Sequence, residues 1–492
     1  MELIITILLI IGVLGLIAQT LIGLSFFISC IWEKERRASF FAGLQFLSMS
    51  AFLIIFLLLI WIGFFQTTLG LVILIAGYIF TVSAAIVLLR RTAPNPRALQ
   101  GTRGYIVGEV KRQDERTHVF ARNRSIHPGS EQYKAYYKEH PEHEKYDTKR
   151  RETGGPLGHF GTIDSPYEGP NVAATLASGD IPMYLGTPEK VKPKPHFLMK
   201  GKRINLTPEE ATERVKGYAR NRGADLVGIT ELSPLWVYSH RGEIFYENWA
   251  DWGKEIKVEH KYAIVFAMQM SFDMVGTGPH TPTAIESMGN YAKGAYIATQ
   301  LASFIANLGY STTASHFRHY ESLMVPLAVD AGLGELGRLG YLITKELGPR
   351  VRLGVVTTNL PLICDKPVDI GVEDFCRICK KCAVCCPSKS IPLEKDQTVV
   401  NGLLRWKLND ETCFDYWGKV GTDCNVCMRV CPWSHARTFP HKIILAIITR
   451  NSIARRLFSI MDDVFYGKRP KVKAIPKWAC FNTGKTDENS NH

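Results

Sequence analysis

Charged residues are absent from two long stretches of this 492-residue sequence, residues 3–32 and 38–89. An apolar segment of about 20 residues is long enough to cross a lipid bilayer as a helix. The second stretch can hold two such helices, with a break near residues 63–68. We therefore predict three transmembrane helices, over residues 3–31, 40–64 and 67–89, which make residues 1–90 a membrane anchor. A cleaved signal peptide would have a shorter apolar core behind a basic segment, and the first stretch has neither feature.

Basic residues lie beside these helices in only two places. One is the segment 33–37 between the first two predicted spans, and the other is the arginine-containing segment 90–103 after the third. The loop between the second and third spans carries no charge. Because basic loops stay on the cytoplasmic side of the inner membrane, we expect a multi-pass protein whose N-terminus is outside. Everything after residue 89 would then lie in the cytoplasm, which suits thiolates because it is reducing.

A nucleic-acid recognition motif is also missing, although the net charge is +13. The basic residues are spread through residues 90–220 and the C-terminal tail instead of forming one cluster. Contact with anionic lipid headgroups explains such a charge on a membrane-anchored protein. We therefore expect membrane lipid as a partner and no nucleic acid.

Cysteine, by contrast, is concentrated in one region, where eight residues form two runs. The first run, Cys-x2-Cys-x2-Cys-x3-Cys-Pro, is the bacterial ferredoxin pattern for 4Fe–4S clusters, in which the fourth Cys of a run binds the other cluster. The second run lacks its usual first Cys, and the upstream Cys413 is the candidate to replace it. The spacing predicts one cluster on Cys376, Cys379, Cys382 and Cys431, and another on Cys386, Cys413, Cys424 and Cys427. A pair of zinc sites is the alternative, because Cys-x2-Cys is shared, but the first run fits zinc poorly.

The remaining patterns divide the chain further. Residues 91–200 lack apolar periodicity and predict a loop-rich linker with few regular elements. From residue 201, helical and strand patterns alternate, with strands near 225–229, 262–268 and 353–358, which is typical of a mixed α/β sheet. We predict a core over 201–365, a ferredoxin-like domain over 366–440, and a C-terminal helix and tail over 441–492, with one amphipathic helix around 441–464.

Several ordered motifs closely resemble the corrinoid-dependent reductive dehalogenases over roughly residues 200–480. They are Ala331–Arg338, Gly348–Leu353, Asp365–Asp369, Phe375–Cys376 and Cys386–Ser388. The resemblance implies an α+β/α/β fold: a nitroreductase-like core that binds base-off cobalamin, and a ferredoxin-like module whose two clusters feed electrons to the cobalt. No Asp-x-His-x-x-Gly segment marks a lower axial cobalt ligand, in agreement with that family. The epoxyqueuosine reductases share the glycine-rich segment and both cysteine runs.

The resemblance also implies catalytic residues, because a Tyr beside a Lys or Arg delivers the proton in that family. Tyr291 fits this position, with Tyr296 as its competitor, and a neighbouring cation favours the phenolate. The paired cation is expected to be Arg352, with Arg350 second and Arg338 third. The family often has an Asn between these positions, where this chain has His316 and His319. Two interpretations are open for these histidines: one of them takes the role of the Asn, or both are polar surface residues.

A glycine pattern, Gly-x-Gly-x-x-Gly, occurs within residues 332–337. A helix and not a strand leads into it, so it fails the context test for a dinucleotide site. We expect Gly332 and Gly334 to allow a close backbone approach to the corrin.

The sequence thus predicts a membrane-anchored reductive dehalogenase acting on an organohalide, with ferredoxin or the quinol pool as electron donor. Respiratory members pair with a separate three-helix anchor protein, and this chain resembles such an anchor fused to the catalytic part. The alternatives are a corrinoid reductase of a non-halogenated substrate, of the epoxyqueuosine reductase type, and a membrane electron-transfer subunit.

Overall fold

The computed structural model describes residues 2–153, 168–185, 202–243, 249–317 and 319–480. This part of the chain divides into two units. The anchor unit comprises residues 1–94, 377–379 and 435–471, and the core unit comprises residues 95–376, 380–434 and 472–492. The tail of the core unit, residues 481–492, lies outside the described residues.

The described α-helices are α1 (Glu2–Trp32), α2 (Arg36–Trp61), α3 (Thr68–Leu89), α4 (Val119–Ser125), α5 (Glu131–Glu139), α6 (Pro141–Thr153), α7 (Glu168–Leu185), α8 (Pro208–Asn221), α9 (Phe272–Gly276), α10 (Pro282–Asn307), α11 (Met324–Asp330), α12 (Val372–Cys379), α13 (Lys381–Cys385), α14 (Asp410–Val420), α15 (Val426–Arg429), α16 (Phe439–Ile448) and α17 (Ser452–Phe465). The strands are β1 (Leu226–Glu231), β2 (Tyr262–Gln269), β3 (Thr312–Ser315), β4 (Glu335–Leu336), β5 (Leu342–Ile343), β6 (Val351–Thr358), β7 (Thr398–Val400) and β8 (Leu403–Arg405).

In the anchor unit, α1, α2 and α3 are long and apolar enough to cross a membrane, as the sequence predicted. Gly63 ends the second span in the left-handed region, with φ of 70°. Thr67 begins the third, because its side chain accepts a hydrogen bond from the Gly70 amide at 3.1 Å. The C-terminal segment that we predicted as one helix is two, α16 and α17. The break falls at Asn451, whose side chain caps α17 by accepting from the Ala454 amide at 2.8 Å.

The core unit is organised by a four-stranded sheet in the order β1-β2-β6-β3. Every strand pairing in it is antiparallel, so the predicted mixed sheet is wrong in this respect. The sequence pattern missed β3, a four-residue strand too short to give a periodic signal. One face of the sheet packs through Ile264 and Val356 against α8 and α10. The other packs through Ala263 and Val355 against α11.

Residues 91–200 contain more regular structure than predicted, because α4 to α7 all lie there. The sequence of α6 has no apolar stripe, and ion pairs hold it instead. Asp147 is fully buried between Arg122, 2.8 Å away, and Arg150, 2.9 Å away. Apolar periodicity cannot detect a helix that is packed through its charges. Residues 154–167 and 186–201 of this segment lie outside the described residues.

Candidate active site

The side chains of Tyr291 and Arg352 meet in the core unit. The guanidinium carbon of Arg352 lies over the Tyr291 ring, 5.3 Å from its centroid. Phe317 stacks on the same tyrosine, with ring centroids 4.9 Å apart and planes 25° from parallel. A guanidinium within about 6 Å of an aromatic centroid is a cation–π contact. The arrangement therefore places a fixed positive charge beside a phenol.

The fold explains why these two residues meet. Arg352 lies on β6, two and four residues from Gly354 and Val356, so it shares with them the sheet face that packs on α10. Tyr291 and Ser287 are four residues apart on α10 and therefore lie on one face of that helix. The competitor Tyr296 is 41% exposed.

A polar network behind Arg352 fixes its guanidinium. One Nη atom donates to the hydroxyl of Ser287 at 2.8 Å and lies 3.4 Å from a carboxylate oxygen of Asp423. Ser287 also hydrogen-bonds to that carboxylate, and the side-chain amide of Asn425 donates to it at 2.8 Å. Burial works against the charge of Arg352, but the Tyr291 phenol and the Asp423 carboxylate outweigh it and raise its pKa. Arg352 is therefore a permanent cation here.

The sequence did not point to Ser287, Asp423 or Asn425. A signal was available for two of them, because Asp423 and Asn425 flank Cys424, a predicted cluster ligand. Polar side chains on both sides of a buried metal ligand need partners of their own. Ser287 gave no such signal, since its role depends on how α10 packs.

The other two arginine candidates hold backbone carbonyls. Arg350 donates to the carbonyls of Ser434 at 2.9 Å and Met270 at 2.6 Å. Arg338 is fully buried and donates to the carbonyl of Cys376 at 3.0 Å, among others. Among the described contacts, only Arg352 of the three reaches Tyr291.

The histidines at the expected Asn position are both buried. His316 and His319 hydrogen-bond to each other through their backbones, at 3.1 and 2.9 Å. Burial lowers the pKa of His316 to about 4 and that of His319 to about 3. Both are therefore neutral imidazoles at physiological pH.

The two glycines of the Gly-x-Gly pattern pack against the chain's own backbone. Gly332 has φ of 73°, and a Cβ there would lie 2.4 Å from the carbonyl oxygen of Lys366. A Cβ on Gly334 would lie 2.2 Å from the carbonyl oxygen of Ile343. Larger residues would displace the backbone at both positions.

Five of the predicted cluster ligands, taken from both proposed clusters, lie close enough in the core unit to influence one another. Burial raises the pKa of Cys427 most, and the charges of Cys424, Cys413, Cys382 and Cys386 raise it further. Burial also raises the pKa of Cys413 and of Cys424 to about 12. The Ser390 amide donates to the Cys386 sulfur at 3.3 Å. Sulfurs so buried hold their protons unless a cation replaces them, which fits an iron–sulfur cluster.

The ligands predicted for the other cluster belong to α12, to α13 and to the segment that follows α15. Burial raises the pKa of Cys376 to about 11, and Cys382 and Cys431 are also buried. Helices α13 and α15, which carry parts of the two runs, pack against each other. Cys379, half-buried, belongs to the anchor unit. None of the twelve cysteines, all within the described residues, is in a disulfide.

A half-buried Tyr–Arg pair and a cysteine-rich segment with ferredoxin spacing together suggest an iron–sulfur oxidoreductase. Comparison with known proteins narrows this class. The chain is 33% identical over 277 residues to a tetrachloroethene reductive dehalogenase of Desulfitobacterium hafniense, covering 48% of this chain and 50% of that protein. It is 33% identical over 298 residues to the enzyme of that name from Sulfurospirillum multivorans, covering 54% and 59%. The chain thus spans about half the length of the curated relatives it matches.

A solved reductive dehalogenase, whose structure suggests a mechanism for B12-dependent dehalogenation, matches 77% of this chain and 49% of its own, with a TM-score of 0.59 and 26% identity. An epoxyqueuosine reductase of Leadbetterella byssophila matches a smaller part, 34% identical over 165 residues and 31% of this chain. No family model matches the chain. The relatives of this chain thus include reductive dehalogenases, which match more of it than the epoxyqueuosine reductase does, and the resemblance predicted from its motifs is confirmed.

Proposed function

We propose that this chain is a membrane-anchored reductive dehalogenase that removes halide from an organohalide, with cobalamin as the reactive cofactor and two 4Fe–4S clusters as its electron supply. The observation that carries the proposal is the Arg352–Tyr291 pair, whose guanidinium is held by Asp423 and Asn425 on either side of Cys424. The residues that hold the proposed cation are therefore the sequence neighbours of a proposed cluster ligand.

The overall reaction needs two electrons and one proton, which convert R–X and H⁺ into R–H and X⁻. Bound cobalamin in its cob(I) state supplies the reducing power that breaks the carbon–halogen bond. Tyr291 holds the proton on its phenolic oxygen and delivers it to the carbon that loses halogen. Arg352 stabilises the phenolate that remains, because its charge lies over the same ring.

Arg352 also provides an anion site. Its Nε atom is buried and has no hydrogen-bond partner among the described residues. A buried donor without a partner costs about 1–3 kcal/mol. A departing halide or an anionic substrate group would satisfy it. Phe317, stacked on Tyr291, would exclude water from the same place.

The cluster ligands in this proposal are those predicted from spacing. Cys376, Cys379, Cys382 and Cys431 would hold one cluster, and Cys386, Cys413, Cys424 and Cys427 the other. We further propose that the corrin is bound base-off near Gly332, Gly334 and His319. Arg350 would support the site by holding the backbone carbonyls of Ser434 and Met270 in place.

The anchor would tether this chemistry to the inner membrane, with the catalytic part in the cytoplasm and ferredoxin or the quinol pool as donor. A reporter fused after His492 tests the orientation. It should be active only in its cytoplasmic form, and periplasmic activity would reverse the topology.

The central test is anaerobic reconstitution of the full chain with iron, sulfide and cobalamin. We expect about eight iron atoms per chain, a base-off cobalt EPR signal, and chloride or bromide release from a panel of organohalides. Protein that binds no cobalamin, or that binds it and releases no halide, would contradict the proposal.

The variant Tyr291→Phe tests the proton donor. Loss of a general acid costs typically about 10²–10⁴ in rate, while iron and cobalamin contents should stay unchanged. Tyr296→Phe, on the same helix but exposed, is the matched control. Unchanged halide release by Tyr291→Phe would remove Tyr291 from the mechanism.

A further inference from the structure

A second group of metal-ligating side chains lies in the anchor unit and contains no cysteine. Glu33 follows the end of α1, His435 precedes α16, and His441 lies in the first turn of α16. Each offers one ligand atom, and these atoms lie within 4.8 Å of one another. The side chains are buried or nearly so, with Glu33 only 3% exposed. Neither the proposed dehalogenation nor the predicted clusters use them.

The hydrogen bonds around His441 orient it toward Glu33. The Tyr466 hydroxyl donates to one oxygen of the Glu33 carboxylate at 3.2 Å. Because the only proton of this hydroxyl is used in that bond, the Tyr466 oxygen accepts a hydrogen bond from Nε2 of His441, 3.0 Å away. Nδ1 of His441 therefore carries a lone pair, and it lies 3.4 Å from the other Glu33 oxygen. The Thr438 hydroxyl donates to this lone pair at 2.7 Å, and a bound ion would replace that hydrogen bond. Two ligand atoms on a tetrahedral zinc ion, with bonds of about 2.0–2.1 Å, are about 3.4 Å apart.

His435 is held by a carboxylate of its own. Its Nε2 lies 2.6 Å from an oxygen of Asp462 on α17, which is buried. The ring of His435 stacks on that of His441, with centroids 5.1 Å apart. A histidine that binds a metal usually gives its second nitrogen to a carboxylate, which fixes its tautomer. Asp462 takes the Nε2 side here, which leaves Nδ1 of His435 for an ion.

We propose that Glu33, His435 and His441 bind a divalent transition-metal ion such as Zn²⁺, with water in the fourth position. Two imidazoles and one carboxylate suit zinc or iron(II), whereas hard oxygen-only sets suit magnesium or calcium. The ion would join the turn between α1 and α2 to α16, segments about 400 residues apart in the sequence. It would hold the C-terminal helices of the anchor unit in place. The proposal does not depend on the dehalogenase activity.

The experiment uses the full-length holoprotein in detergent, titrated with Zn²⁺ and analysed by elemental analysis and zinc K-edge spectroscopy. We expect one tightly bound zinc per chain with only nitrogen and oxygen ligands at about 2.0–2.1 Å. His435→Ala and Glu33→Gln should each remove this zinc. Asp462→Asn, which changes only the support of His435, should weaken binding by about 10–100-fold. Iron and cobalamin contents report separately on the other site.

A matched control is available, because His140, Glu142 and His143 form another such group on the core unit, with Glu142 exposed. The double variant His140→Ala/His143→Ala should keep the tight zinc. Loss of zinc in that variant, sulfur ligands at about 2.3 Å, or equal zinc binding by wild type and Glu33→Gln would each overturn the proposal.

Discussion

The anchor unit exposes apolar residue types that the core unit buries. Leu58 of α2 is 54% exposed and Trp61 is 83% exposed, whereas Leu301 of α10 is completely buried. Buried charged groups in both units have hydrogen-bond partners, as Glu33 has in one and Asp423 in the other. Exposed apolar side chains on α1 to α3 fit a lipid surrounding, whereas a buried leucine such as Leu301 fits a core surrounded by water. Hydrogen bonding decides where charge can go in either solvent.

The largest expected effect tests the assignment of Cys424, in the core unit, as a cluster ligand. Cys424→Ser removes one ligand of a proposed cluster, so iron should fall from about eight to about four atoms per chain. Halide release should fall to background, while the protein still inserts into membranes. Cys364→Ser, at a cysteine outside both runs, is the control. Full iron content in Cys424→Ser would break the assignment of this residue.

The contrast between lipid-facing and core leucine is tested directly by a matched pair. Leu301→Ala leaves a cavity in the packed core and should cost about 2–5 kcal/mol of unfolding free energy. Leu58→Ala truncates an exposed side chain of the anchor unit, whose surroundings do not change when the core unfolds. The unfolding free energy obtained from the same thermal transition should therefore change by less than about 0.5 kcal/mol. Equal shifts for the two variants would contradict the division into two units.

The polar network of the core should have an intermediate effect. Asp423→Asn removes the negative partner of Arg352 but keeps the shape of the side chain. Hydrogen bonds to charged groups contribute about 1.5–3 kcal/mol, so kcat/KM for dehalogenation should fall by about 10–100-fold. Asp410→Asn, at a half-exposed carboxylate paired with Lys407, should have no such effect. A positioning role predicts that most of the loss is in kcat, with iron content unchanged, and a loss of iron would indicate a structural role instead.

The last effect concerns pH, and it is small at any single step of the titration. The pKa of His319 is about 3 in the folded core, below its ordinary value of 6.5, because of burial. Between these two pKa values the unfolded chain binds a proton on His319 that the folded core does not. The stability that the neutral His319 contributes to the folded core is therefore complete above pH 6.5 and is lost as the pH falls toward about 3. The slope should be at most about 1.4 kcal/mol per pH unit from this group. His319→Gln should reduce it, and an unchanged slope of unfolding free energy between pH 6.5 and 4 would contradict the burial of His319.

Much of this molecule was predictable because its strongest signals are local. Charge-free runs define α1 to α3, and cysteine spacing defines the cluster ligands that we propose. The Tyr291–Arg352 contact was expected from a family resemblance, and only packing of α10 on β6 shows how it forms. Helix α6 was missed because ion pairs through Asp147 hold it. The break at Asn451 was missed because a single capping residue leaves the apolar pattern almost unchanged.

The position of Asp423 and Asn425 has a consequence for how such proteins can be rebuilt. A ferredoxin-like segment is often regarded as an exchangeable cassette that contributes cysteines and nothing else. Here the same five residues, 423–427, contain two proposed cluster ligands and two partners of Arg352. If the proposed ligands are right, a chimaera that received a foreign cassette would keep its iron and lose the counter-charge of Arg352. The proposed cluster ligands and the partners of Arg352 must therefore be transferred together, or the partners of Arg352 must be restored by further substitutions.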